Sequence, residues 1–475
     1  MVDSVTAKKS GDFSEWYTQV IQKADLADYT EVSGCIVFKP RSYAIWERIR
    51  DETDRRFKKL GIQNVYFPLF IPEKTLSREA EHFKGFTPEV AWVTHAGNTK
   101  LAERLAIRPT SETIMYESYA KWIRSWRDLP LKLNQWNNVV RWEFKHPVPF
   151  LRTREFLWNE GHTVYASKEE AEKEQDEIIG VYEDVCTNLM ALPSMIGKKS
   201  KKETFAGAEY TISMEFVMPQ GKAIQGPDFH HDGQKFAKAY NIRFLDEQGK
   251  DQYAWQNTFA ITTRMLGIMI AVHSDDKGLV LPPRVAPTQI VIVPILFDDS
   301  KKKVLAKCGE VAKLLENFSV EVDDREGYTP GWKFNDWEMK GVPLRIELGP
   351  KDMEKDQVVL VRRDNGEKKP VKISSLTKEV PGMMDAIHDG MYKKACELME
   401  SSVVEVETEA EFCRAIDNKK VAVIKWCGEP KCEEYIKEKT GAKSLNMPLK
   451  QPKVSGKCPF CKSDAKVVAR FGRSY

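Results

Sequence analysis

The chain has 475 residues, 42% of them hydrophobic, with 22 Phe, 15 Tyr and 12 Trp, enough for roughly three domains with substantial cores. Its 73 Lys+Arg are balanced by 70 Asp+Glu, which excludes attachment to nucleic acid by bulk charge and leaves RNA binding to local surfaces. No apolar run approaches the ~20 residues that span a bilayer, and the opening MVDSVTAKKSGDFSEWY has neither an apolar signal core nor an arginine-rich amphipathic stretch; a multidomain, cytoplasmic protein with no membrane partner is expected.

In chain order, Ile45, Ile49, Phe57 and Leu60 at helical spacing predict a helix over 43–60, with Gly61 as its stop. Residues 64–70 read as a strand, and Pro68 makes it an edge or bulged one. Residues 139–144 and 156–165 read as antiparallel strands joined by the loop KHPVPFLRT, and 207–217 fits the same sheet. Residues 260–272 are apolar and small without a turn signal, which suggests a buried helix. Composition changes at LPPRVAP, 281–287. Beyond it strands at 289–295, 320–323, 343–348 and 357–362 alternate with helices at 301–318 and 331–339, the pattern of a small α/β domain with a partly parallel sheet. Helical segments at 381–400 and 408–418 lead into a cysteine-bearing tail. The expected domains are 1–286, 287–374 and 375–475.

The tail holds Cys427 and Cys432, then Cys458 and Cys461. Two short-spaced pairs offer four thiolates to a tetrahedral structural zinc. The same pairs would also serve two disulfides or stand as unrelated thiols, but a nonsecreted chain favours the metal.

Phe156, Trp158, Glu160 and His162 alternate on one strand face. Two aromatics with a carboxylate and an imidazole suit a pocket for a planar base and a small charged molecule better than a dry core. Arg141 and Arg264 stand on different elements and would clamp a polyphosphate, because a guanidinium donates paired hydrogen bonds and stays charged. No glycine-rich phosphate loop or dinucleotide fingerprint occurs.

With IRPTSET (107–113), Arg141-Trp-Glu143, PFLRTREFLW, Glu160-Gly-His162, Thr262-Thr-Arg264 and a terminal FGRSY, the chain resembles class II aminoacyl-tRNA synthetases over its whole length. Within that class it resembles the prolyl-tRNA synthetases of archaeal and eukaryotic-like architecture. The resemblance implies an α+β fold: an antiparallel-sheet catalytic domain, an α/β anticodon-binding domain and a small zinc-binding C-terminal domain. It implies a cytoplasmic homodimer that joins proline to ATP and then to tRNA, contacting acceptor end and anticodon loop. Arg141, Glu143 and Arg264 take catalytic positions. Arg141, Arg152, Thr153, Phe156, Gln225, Thr262 and Arg264 match the ATP site. Thr110, Glu112, Arg141, Trp158, Glu160, His162, Phe205 and His230 match the amino-acid site. Mg2+ accompanies ATP, and Glu338, Arg345 and Glu347 are anticodon-reading candidates. Lys198-Lys-Ser-Lys-Lys202 would touch the acceptor arm or form a solvated loop. His82, His95, His146 and His388 adjoin no carboxylate constellation and receive no role.

The chain departs from the family near the substrate. Pro227-Asp228-Phe229-His230 stands where Gly-Thr-Ser-His is usual, and Thr258-Phe259-Ala260 where Ser-Trp-Gly is usual. Asp228 puts a carboxylate where a neutral hydroxyl is expected, and Ala260 adds a methyl. Local repacking with unchanged specificity is one reading. A diverged paralogue with altered amino-acid specificity or inhibitor resistance is another, and a noncatalytic tRNA-binding paralogue a third.

Overall fold

The computed structural model describes residues 4–76, 89–143 and 145–475; Phe144 and His82 lie outside them. Helix α1 (Phe13–Lys23) begins where Asp12 accepts from the Glu15 amide, and it buries Trp16, Tyr17, Val20 and Ile21. Helix α2 (Pro40–Lys59) opens on a proline and buries Ile45, Trp46, Ile49 and Phe57. Gly61 follows it at φ +79°, as the stop requires.

The single strand expected over 64–70 is divided. Strand β1 (Gln63–Asn64) pairs parallel with β2 (Leu131–Val140), whereas Phe70–Pro72 pairs with Thr99–Ile107 in a separate three-stranded sheet. Pro68 lies between, and a residue without an amide hydrogen is a natural place for the chain to leave one ladder and enter another. Helix α3 (Glu112–Trp122) precedes β2. Strand β3 (Glu155–Tyr165) pairs antiparallel with β2, Val139 opposite Phe156. Arg141 and Glu143 therefore lie just beyond β2 rather than inside it.

After helix α4 (Lys168–Asp184) come β4 (Met195–Lys198), β5 (Tyr210–Val217), β6 (Ala223–Gly233) and β7 (Trp255–Thr262). The spatial order is β1-β2-β3-β7-β6-β5-β4, antiparallel except for β1 with β2. Helix α5 (Arg264–His273) follows directly. The helix expected over 260–272 is thus shorter, because Ala260–Thr262 remain in the ladder opposite Glu160–Trp158. A short apolar run does not distinguish buried strand from buried helix. Residues 265–271 are buried all round, which fits a helix enclosed by other elements.

One face of this sheet is dry. Phe229, Phe259 and Ile261 pack there with residues of α1, α2, α4 and α5 in one core. Each fully buried phenylalanine contributes about 1.5–3 kcal/mol relative to exposure. The opposite face carries the site.

The second domain has strands Val320–Val322, Ile290–Pro294, Leu344–Leu348, Gln357–Arg362 and Lys368–Lys372 in that spatial order. The first three run parallel and the rest antiparallel. Helix Leu376–Ser402 shares its core through Leu376, Val380, Met384, Ile387 and Met391, so packing continues across the expected boundary at 374–375. The tail strands Val403–Glu405, Val421–Trp426, Val467–Gly472 and Lys443–Pro448 then join β4 through Met447 opposite Lys198, extending the main sheet to eleven strands. Among the described residues no helix is long and apolar enough to cross a membrane.

Candidate active site

The polar face of the sheet encloses a cavity of about 470 Å³. It is bounded by β3, β7, β6 and β5, by the turn before α3, and by the N-terminal end of α5. Of the residues matched to the catalytic, ATP and amino-acid sites, only Arg152 lies off its wall. Arg152 lines an adjoining cavity of about 200 Å³ together with Gln225, Arg264 and Tyr475.

At one end Thr110 donates to Glu112 at the start of α3. Below them Glu160 is 2% exposed and saturated with donors. Ser111 contributes its amide at 3.0 Å and its hydroxyl at 2.5 Å, Gln135 Nε2 comes to 3.1 Å and Asn137 Nδ2 to 2.7 Å. Burial alone would push the Glu160 carboxyl up, but hydrogen bonds from His162, Ser111 and Asn137, with the His162 charge, hold it down at about 2. His162 is fixed from behind by the Tyr116 hydroxyl, 3.1 Å from Nδ1. Glu112, Glu160 and His162 place donor atoms within 4.8 Å of one another, yet protein donors already occupy Glu160, so the trio is built for hydrogen bonding. The supports Ser111, Gln135 and Asn137 were absent from the expected site. Ser111 lies within the quoted IRPTSET, and Gln135 and Asn137 alternate along LKLNQWNNVV, the available signal.

The other end is cationic. Arg141 donates from Nε to the Pro109 carbonyl at 2.9 Å and lies over the Trp158 and Phe156 rings, 5.2 and 5.5 Å from their centroids. Trp158 is itself held by Asn137, 2.6 Å from its indole nitrogen. Arg264, at the first position of α5, donates to the carbonyls of Leu151 and Gln225, both at 3.1 Å. Burial and the Arg141 charge lower its pKa, partly offset by Asp228. Two guanidiniums that repel each other in a shared cavity form a site for an anion.

Four of the departing residues divide between the faces. Phe229 and Phe259 are register partners turned into the core, rings parallel at 6.5 Å, with Phe259 also packed on Phe57 and Tyr182. A Cβ at Gly161 would lie 2.0 Å from the Phe259 ring, so glycine is required there. Asp228 and Ala260, also register partners, face the cavity. The Asp228 carboxylate accepts from Gln225 Nε2 at 2.7 Å and stands 3.6 Å from His230 Nε2.

The lysine run 198–202 is no free loop. Lys199, 8% exposed, pairs with Glu215 at 2.6 Å, and Lys202 reaches Glu434 of the tail at 2.7 Å. A second cavity of about 180 Å³, in the α/β domain, is lined by Glu338, Arg345 and Lys277 among others. Glu347 is not on its wall but holds Arg345 at 2.8 Å. Cys432 and Cys458 have Sγ atoms 3.7 Å apart, Cys427 and Cys461 3.4 Å, and all four lie within 4.8 Å of one another as free thiols. Zn–S bonds of ~2.3 Å give tetrahedron edges of about 3.8 Å; the four sulfurs fit a zinc and do not form disulfides.

Residues 92–273 match the family model for the tRNA synthetase class II core domain (G, H, P, S and T), and residues 289–383 that for the anticodon binding domain. Sheet, cavity and appended domain thus define a class II aminoacyl-tRNA synthetase. Residues 410–475 match the model for the prolyl-tRNA synthetase C-terminal region. The chain is 49% identical to a proline–tRNA ligase of Ruminiclostridium cellulolyticum, covering 100% of this chain and 99% of that one. It is 46% identical to the bifunctional glutamate/proline–tRNA ligase of Mus musculus, over 99% of this chain and 33% of that protein. The solved prolyl-tRNA synthetase from Cryptosporidium parvum, complexed with halofuginone and AMPPNP, superposes with TM-score 0.95 at 45% identity, covering 99% and 97% of the two chains. The chain belongs to the prolyl-tRNA synthetase family.

Proposed function

We propose that the chain ligates proline to tRNA through a prolyl-adenylate. The proline carboxylate attacks the α-phosphorus of ATP and pyrophosphate leaves; a ribose hydroxyl of the tRNA end then attacks the prolyl carbonyl and AMP leaves. The supporting observation is that Thr110–Glu112 and the two anchored arginines share one cavity. Thr110 and Glu112 take the ring nitrogen, with Trp158, Phe205, His162 and His230 around the ring and Glu160 fixing His162. Arg141 neutralises the carboxylate and α-phosphate, and Arg264 the leaving pyrophosphate. Thr153, Phe156, Gln225 and Thr262 seat the nucleotide beside Arg152, and Glu143 faces it from the rim. No covalent enzyme intermediate is needed; positioning and charge neutralisation lower the barrier.

Mg2+ would come with ATP as its counter-ion and would supply further charge neutralisation at the phosphates beside Arg141 and Arg264. Zinc at Cys427, Cys432, Cys458 and Cys461 staples the tail. The α/β domain reads the anticodon loop at the cavity of Glu338 and Arg345, with Glu347 orienting Arg345; RNA specificity of this kind comes from hydrogen bonds to unstacked bases. The active unit is a cytoplasmic homodimer, paired through α2 and the sheet edge at β1, where Tyr66 is 72% exposed. A noncatalytic tRNA-binding role has no use for two phosphate-directed arginines, and no observation favours it. ATP–pyrophosphate exchange with each amino acid in turn tests the reading: proline drives exchange if it holds, and exchange with no amino acid overturns it.

A further inference from the structure

Strand β6 carries two carboxylates beside His230 that ligation of an unsubstituted proline ring does not use. Asp228 lines the cavity with one oxygen engaged by Gln225 and the carboxylate 3.6 Å from His230 Nε2. Asp232 occupies the bulge where β6 slips against β7. It is 0% exposed, and neither of its oxygens makes a hydrogen bond of normal geometry. Its neighbour is the Thr258 hydroxyl, also without such a bond, and Thr258 lines the cavity. The Gln256 amide, one register further along β7, is buried with both ends unbonded. The charged groups that reach Asp232 are Glu112, Glu209 and Lys235, and Lys235 is already bonded to the Ala208 carbonyl.

A buried carboxylate without a partner is expensive, and buried polar groups left unbonded in one place call for a partner or a functional role. Burial and Glu112 push the Asp232 carboxyl well above its usual range, the direction that a cation arriving beside it would reverse. His230 points the same way. Its Nδ1 lies 2.7 Å from the Thr211 hydroxyl, so in the tautomer that donates there Nε2 is an open acceptor facing Asp228. The space beside His230 and Thr258 faces Asp228, with Asp232 behind Thr258; the charges that reach His230 are those of Asp228 and Glu112, opposed by Arg141 and Lys199.

We propose that this space is a subsite for a second, protonated nitrogen on the substrate ring, so that the chain also activates a cyclic amino acid bearing a ring amine. The inference rests on the cavity being the amino-acid pocket of a proline–tRNA ligase. The ammonium donates to Asp228 and to His230 Nε2, and Asp232 neutralises it from behind Thr258. Ala260, register partner of both Asp228 and Glu160, raises the pocket floor next to this subsite.

The test is pyrophosphate exchange with proline and with both epimers of γ-aminoproline, for the parent and for Asp228→Asn and Asp232→Asn. At least one epimer is expected to match proline in kcat/KM. Each substitution is expected to lower the aminoproline-to-proline ratio by about tenfold or more, since a buried charge that loses its partner is strongly disfavoured. A merely structural role would change both substrates together and leave the ratio fixed. Asp232→Ser provides the same reading should the asparagine variant fail to fold. Exchange with proline but with neither epimer, or a ratio unmoved by the substitutions, overturns the inference and leaves the ligase reading intact. Exchange with none of the three overturns the ligase reading and this inference with it.

Discussion

Arg264 is the residue whose removal separates positioning from chemistry. Its guanidinium is set before any ligand arrives, by donation to the Leu151 and Gln225 carbonyls at 3.1 Å each, and it stands at the first position of α5, where the helix dipole adds positive potential. Arg264→Ala removes a preorganised charge-assisted donor to the reacting polyphosphate, which costs at least ~3 kcal/mol, or about two orders of magnitude or more in exchange rate. Loss of the two carbonyl bonds also costs about 1.5–3 kcal/mol of stability each, so the thermal midpoint falls by a few degrees. Arg264→Lys keeps the charge but has no fork to hold both carbonyls and a phosphate, and is expected to recover only part of the rate. The assay is proline-dependent pyrophosphate exchange at saturating and limiting ATP, with filter binding of tRNA as the control. A folded Arg264→Ala protein with near-parental exchange would refute the placement of the polyphosphate.

Three further outcomes are expected. Glu160, held at about 2 against an ordinary 4.5, contributes stability that is full above the unfolded value and lost as pH falls through the folded one; the shift is worth roughly 3 kcal/mol. Urea titrations should therefore show Glu160→Gln with a flatter acid limb than the parent between these values, and parallel limbs would refute the assignment. Chelation of zinc, or Cys458→Ser, should loosen the tail first, seen as early proteolysis within 427–461 while residues of the second domain stay protected; an unchanged digestion pattern would count against a structural metal. Sedimentation at micromolar concentration should give a species heavier than the 54.5 kDa chain, and Tyr66→Arg should weaken it; a monomer alone rejects the dimer.

The site was legible where chemistry and period coincide. The alternation of Phe156, Trp158, Glu160 and His162 placed them on one strand, and the structure brings all four to one cavity. Arg264 was placed at a helix start from its apolar sequel alone, although the strand residues 260–262 were absorbed into that helix because a short buried run has no diagnostic period. The 64–70 segment was read as one strand because propensity does not show which sheet a chain will join, and Pro68 is where it changes partners. Facing was harder still. Phe229 and Phe259 were grouped with Asp228 and Ala260 by adjacency, yet a strand turns neighbours to opposite faces, so the Phe229 and Phe259 rings pack into the core while Asp228 and Ala260 face the cavity. Asp232 was passed over because nothing in a sequence states that an aspartate is buried without a partner.

The most direct measurement is the identity of the aminoacyl group the chain places on tRNA. Incubated with ATP, Mg2+, all amino acids and unfractionated tRNA, the chain should yield prolyl-adenosine as the aminoacyl nucleoside released from the tRNA ends and seen by mass spectrometry, with the charged molecules carrying proline anticodons. Uncharged tRNA, or an aminoacyl-adenosine without a prolyl group, would contradict the account.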